Sequence, residues 1–157
     1  MSLFQLIDQH RYLYLTGICE PEDNVLKLMI AEAKVSGSRE DIRIGSLELK
    51  DTAPIVVTEE SSIYEIIFDQ YIAYSVRNES YYTQTDEEEE FEGRLACIYT
   101  KSKFLDYVRA GTFACDDYPG PFKHYGFNCL NHIVDIASMN PPRMVELRSN
   151  SRDSWIM

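Results

Sequence analysis

Alternation of apolar and polar positions dominates this chain, and it predicts strands far more often than helices. It is clearest from Ser62 to Arg77, where Tyr64, Ile66, Phe68, Ile72, Tyr74 and Val76 recur at every second position apart from Gln70. Period two over such a length is the signature of a half-buried strand. Because a hairpin at Asp69-Gln70 would carry the apolar set onto Ala73, Ser75 and Arg77, the unbroken phase predicts one long bent strand. Further strands are expected at Arg11–Ile18, Val25–Val35, Asp41–Lys50, Pro54–Thr58, Arg94–Tyr99 and Met144–Leu147. Pro54 suits the start of an edge strand, since proline cannot donate to a ladder.

Two segments carry helical period instead. Ser2 with Gln5 has the spacing of a capping box ahead of Leu3, Leu6 and Ile7, which predicts a short helix from Leu3 to about His10. Ser102 reads as the N-cap and Gly111 as the end of a second helix, with Phe104, Leu105 and Val108 on one stripe and Asp106 three residues before Arg109. From Phe122 the chain returns to strand. Leu130–Ala137 fits a helix as well, but β-branched Ile133, Val134 and Ile136 favour a strand, and a parity switch near Cys129 and Leu130 predicts a bulge. The fold class that follows is mostly β, at the margin of α+β: an antiparallel β-sandwich or open barrel of about eight strands with one or two short helices. Residues 1–148 read as one domain and 149–157 as a polar tail.

Composition adds compartment and partners. The 157 residues are 45% hydrophobic, enough for a real core without staples. Four scattered cysteines, with no basic-then-apolar leader before them, point to reduced thiols in the cytoplasm. No apolar run reaches the length of a membrane span. The net charge of −11 argues against nucleic acid and anionic membrane surfaces, and favours a basic protein partner. Six of those charges sit between Asp86 and Glu92, which leaves −5 for everything else. This run is expected to be the loop of a hairpin joining the long strand to Arg94–Tyr99.

Chemistry is harder to place. No phosphate-cradling glycine cluster, nucleophile elbow or zinc-protease helix is present. His124 and His132 on one extended strand would stand roughly 26 Å apart at about 3.3 Å per residue, too far to share a metal with a carboxylate such as Asp116. Cys129 and His132, three apart on a strand, would face opposite sides and make no nucleophile–base pair. Thus neither a catalytic residue nor a metal or cofactor is expected.

Two functional classes remain. In the first, a non-catalytic domain binds a basic protein through Asp86, Glu87, Glu88, Glu89, Glu90, Phe91 and Glu92. Charge and size here resemble small acidic proteins that neutralise a toxin. In the alternative, a small β-fold enzyme or ligand binder has a tyrosine-lined pocket that uses Arg77, Asn78, Glu79, His124 or His132.

Overall fold

A computed structural model describes residues 1–83 and 88–147. The polar tail expected at 149–157, and Asp86 and Glu87 of the acidic run, lie outside the described residues. Helix α1 (Leu3–Asp8) opens the chain with the full capping box, Ser2 and Gln5 bonding reciprocally. Strands β1 (Tyr12–Glu22), β2 (Val25–Val35), β3 (Glu40–Ile44), β4 (Leu47–Thr52), β5 (Ile55–Val56), β6 (Ile63–Asp69) and β7 (Ala73–Asn78) follow. After them come β8 (Glu90–Glu92), β9 (Ala96–Lys101), α2 (Lys103–Gly111), β10 (Lys123–Asn128), β11 (His132–Ser138) and β12 (Arg143–Leu147).

All strand pairs are antiparallel. One sheet has the order β1-β2-β6-β12 with β5 beside the end of β2. The second has the order β7-β11-β10-β9-β8. Their facing surfaces enclose the core. Leu13, Leu26, Leu28, Ile30, Tyr64, Ile66 and Phe68 come from the first sheet, and Ala96, Tyr125, Phe127, Val134 and Ile136 from the second. The mostly β, antiparallel, sandwich-like fold expected from the alternation is therefore the one observed, with both helices in place.

Three predicted strands are each two, and one strand was not foreseen, so the described residues hold twelve rather than about eight. Asp41–Lys50 turns at Gly45, whose φ of 61° is in the left-handed region that glycine adopts without steric cost. The Phe122–Ala137 strand turns at Cys129–Asn131, so a hairpin stands where a bulge was expected. Ser62–Arg77 breaks at Gln70, which also has positive φ, at 54°. It makes neither a long strand nor a hairpin, because β6 belongs to the first sheet and β7 to the second. The phase survives the crossing. Tyr74 and Val76 of β7 pair with the core residues Ile136 and Val134, so the apolar parity of Tyr64, Ile66 and Phe68 in β6 continues into β7, although Tyr74 and Val76 are exposed on that edge strand. An alternation that keeps its parity while the chain changes sheets looks, in sequence, like one strand.

The acidic run also connects differently from the expectation. β7 does not pair with β9, because the β10–β11 hairpin lies between them. Instead Glu90–Glu92 forms β8 on the far edge, folding back on β9 through Gly93. A carboxylate-rich segment tolerates this place because an edge strand leaves Glu90 and Glu92 in solvent.

Helix α1 is tied to both sheets. Oδ1 of Asp8 accepts the backbone N–H groups of Arg94, Leu95 and Ala96 at 2.7, 2.6 and 3.0 Å. His10 reaches the Tyr64 hydroxyl at 2.6 Å and Glu32 at 3.2 Å. Burial alone would raise the Asp8 pKa, but the three backbone donors and the Arg94 charge outweigh it and hold it below 3.8. Asp8 contributes stability fully above its unfolded value, and the contribution disappears as pH falls through the lowered folded value. Asp8→Ala should cost about 1–3 kcal/mol at neutral pH, and wild type and variant should converge in urea unfolding in strong acid. A second expectation concerns Gly93, where φ is 97° and a Cβ would meet the Ala96 carbonyl oxygen at 2.0 Å. Gly93→Ala should destabilise by about 1–3 kcal/mol through backbone strain, with loss of amide protection in β8 by hydrogen exchange.

Candidate functional site: an aromatic cleft on the second sheet

The outer face of the second sheet is only half covered. Antiparallel register places Tyr99, His124, Ala137 and Ala73 in one row across it, and Cys97, Gly126, Asp135 and Ser75 in the next. Helix α2 packs over one side, where Leu105 and Val108 meet Phe122, Ala137 and Ala73. Ser102 caps this helix by accepting the Leu105 N–H at 3.0 Å. Arg109 lies over the Phe122 ring, 5.1 Å from its centre. The side left open is a cleft of about 760 Å³ between α2, β8, β7 and the segment after it.

A chain of polar groups, buried at one end, runs under the cleft. His124, Asp135 and Ser102 are 2%, 4% and 2% exposed. Nε2 of His124 is 2.7 Å from Oδ1 of Asp135, and Nδ1 is 2.9 Å from the Ser102 hydroxyl. The other Asp135 oxygen accepts from Nη2 of Arg77 at 3.0 Å. A carboxylate can only accept, which assigns the imidazole proton to Nε2. In the neutral imidazole Nδ1 accepts the Ser102 hydroxyl proton, while a lone pair of the same oxygen caps the helix. Each side-chain N and O atom of the buried His124, Asp135 and Ser102 has a partner, which is what burial of a charge demands.

Aromatic rings form the walls. Tyr99 stacks on His124 with centroids 4.1 Å apart and planes 9° from parallel. Phe91 lies 4.9 Å from Tyr99 on one side, and Phe104 4.9 Å from His124 on the other. Gly126 makes this stack possible, since a Cβ there would meet the Tyr99 ring at 3.0 Å. Tyr74, Tyr82 and Tyr107 complete the lining. Arg77, Arg94 and Lys103 bring three cations to it, against the carboxylates of Asp135 and Glu89. The Arg94 guanidinium is engaged by the carbonyls of His10 and Asp8, at 2.5 and 3.4 Å. The Arg77 side chain is 55% exposed, and among the described residues its ion pair is with Asp135.

The candidate residues from the sequence divide as follows. Arg77 and His124 meet in the cleft, with Glu89 and Phe91 of the acidic run on its wall. Asn78 caps the short 3₁₀ turn Glu79–Tyr81, accepting the Ser80 N–H at 3.0 Å, and Glu79 is exposed there. His132 pairs with Asn78 on the opposite face of β11 from Asp135, and its Nδ1 is buried without a hydrogen-bond partner among the described residues. The β10–β11 turn replaces the extended strand on which a 26 Å separation was reckoned. Yet His124 and His132 still face opposite sides of the sheet and share no site. Glu88, Glu90 and Glu92 are exposed.

Sequence reasoning passed over Ser102 as a site residue and Asp135 altogether. The signal for Asp135 was present: a lone carboxylate within Ile133-Val134-Asp135-Ile136-Ala137 has to find a partner.

Ser102, His124 and Asp135 have the residue types of a hydrolytic triad, but the geometry does not serve that chemistry. The serine is buried and its oxygen is committed to the helix cap. The two buried thiols are poor nucleophiles as well. Burial pushes Cys97 and Cys129 up to about 12. The Cys129 N–H closes the hairpin on the His132 carbonyl at 2.9 Å. Desolvation likewise raises Tyr99. No family model matches the chain, and no curated protein or solved structure shows significant similarity to it.

Asp135→Ala should cost about 1–3 kcal/mol, because it leaves the buried Nε2–H of His124 without an acceptor. Ser102→Ala should cost about 1 kcal/mol in the cap, plus the unsatisfied Nδ1. Denaturant melts check both. A Ser102→Ala loss much below 1 kcal/mol would mean that the hydroxyl does not bridge helix and histidine.

Proposed function

We propose that this protein is a non-catalytic binder of a small molecule with a flat aromatic body and an anionic group, held in the cleft on the second sheet. One observation carries the reading: Phe91, Tyr99, His124 and Phe104 form a continuous run of rings beside Arg77, whose guanidinium Asp135 aligns. Rings in contact offer faces and edges on which a flat ligand gains dispersion and quadrupole attraction. An arginine fork held by one carboxylate keeps further N–H groups for a second anion. Among the described residues, three cations against two carboxylates line the cleft of a chain whose net charge is −11, which favours an anion there over a cation. The volume is that of ordinary small-molecule sites.

The acidic edge supports a second reading. Glu90, Phe91 and Glu92 are exposed on β8, and a basic protein is the partner that such an edge would attract.

One experiment separates the two. Thermal shift and titration calorimetry with aromatic carboxylates, aryl phosphates and their neutral amides should show binding of the anions only. Arg77→Gln should weaken it about tenfold, the loss of one charge-assisted hydrogen bond. Failure of every aromatic anion, together with salt-sensitive binding of a lysine-rich polypeptide that Glu90→Gln/Glu92→Gln abolishes, would overturn the cleft in favour of the edge.

A further inference from the structure

The β3–β4 hairpin stands apart from the sandwich. Its two strands pair only with each other, forming a two-stranded sheet of their own, and every residue from 37 to 51 is exposed. The hairpin is nevertheless strongly two-faced. Ile42 pairs with Leu49 and Ile44 with Leu47, which puts all four aliphatic side chains on one side. Arg43 pairs with Glu48 on the other. The two-residue turn Gly45-Ser46 fixes this register, and a slip by one residue would mix the faces. Ile44 and Leu47, beside the tip, are 63% and 57% exposed. A lone two-stranded hairpin with an apolar side in water is marginal by itself, and such a patch marks a contact surface.

Charge selects the occupant. Residues 39–52 hold Arg39, Arg43 and Lys50 against Glu40, Asp41, Glu48 and Asp51, a net of −1, while the rest of the chain carries −10. Within the arm Arg39 meets Asp51 at 3.1 Å, Arg43 stands opposite Glu48, and Asp41 accepts the Asp51 N–H at 2.9 Å. The arm thus has neither the cationic excess that would recruit an acidic partner or anionic lipid, nor the acidic excess that would recruit a basic one. A second copy fits. The two Ile/Leu pairs let a two-fold axis lay isoleucine on leucine in both directions, a self-complementary contact. Strands of this length extend roughly 20 Å at about 3.3 Å per residue. Contact between arms can therefore hold two acidic bodies apart by more than the screening length of about 8 Å at physiological salt.

We propose that the β3–β4 hairpin is a homodimerisation arm, through which two copies pack the Ile42, Ile44, Leu47 and Leu49 faces together. Four aliphatic side chains per copy fall short of a standard interface, so the dimer is weak and concentration-dependent.

Sedimentation equilibrium of the full chain, from micromolar to millimolar concentration at low and high salt, tests this. The mass should rise from 18.2 kDa towards twice that value, at both salt concentrations. Ile44→Lys/Leu47→Lys should remain monomeric throughout. Its unfolding midpoint, measured at low concentration, should match that of the wild type, since both positions are exposed in the monomer. Arg77→Gln should dimerise normally, which keeps this test separate from that of the cleft. A wild type that stays monomeric at every concentration overturns the proposal, and so does a dimer untouched by the double lysine variant. So does a dimer that dissociates in high salt, which would mark an ionic contact. A monomer that floats with neutral phosphatidylcholine vesicles would assign the arm to a lipid surface instead.

Discussion

A buried carboxylate, Asp135, organises the face of the second sheet that holds the cleft. Asp135 lies in the middle of an apolar inner strand of the second sheet, where an unpaired charge would cost several kcal/mol. Its oxygens are satisfied from both sides, by the His124 imidazole on β10 and the Arg77 guanidinium on β7. His124 passes the constraint to Ser102 and so to the first turn of α2. Three strands and a helix are therefore held in register by one hydrogen-bonded chain. The position of α2, and with it the open cleft, depends on that chain.

The aromatic walls are a consequence of the same arrangement. A buried imidazole presents two flat faces, and Tyr99 and Phe104 take them. Phe91 extends the run to the acidic edge. The segment that gives the chain much of its charge thus also supplies a wall of the cleft. Asp8 stabilises that edge from behind by gathering the N–H groups at the start of β9.

Much of the fold was legible in local chemistry. Ser2 with Gln5, and Ser102 with the stripe of Phe104, Leu105 and Val108, announced both helices, because caps and helical period are properties of neighbouring residues. β1, β2, β9 and β12 followed from alternation and turn residues. The errors came where one pattern is compatible with two connections. Gln70 is not a residue that advertises a left-handed turn, and the parity of the apolar positions is the same before and after it. Gly45 is such a residue, but it lies within a run whose alternation continues on either side. At the site, Arg77, His124 and Phe91 were among the candidates, whereas Asp135 and Ser102 were not. Their importance comes from partners 58 and 22 residues away.

By itself, then, the sequence determined the class of the protein: an acidic, mostly β chain with two capped helices, a core of alternating aliphatic and aromatic residues, and its charge concentrated in one segment. These follow from period, capping and composition, which act over a few residues. Only the tertiary structure decided that β6 and β7 belong to different sheets, that the acidic run ends in an edge strand, and that Asp135, His124, Ser102 and Arg77 meet beneath an aromatic cleft. Strand order sets which distant residues become cross-strand neighbours, and it is fixed by how two apolar faces close on each other rather than by any local signal. Glu89 and Phe91, from the run that marks the chain as acidic, thereby line the cleft where Arg77, Arg94 and Lys103 converge with aromatic rings.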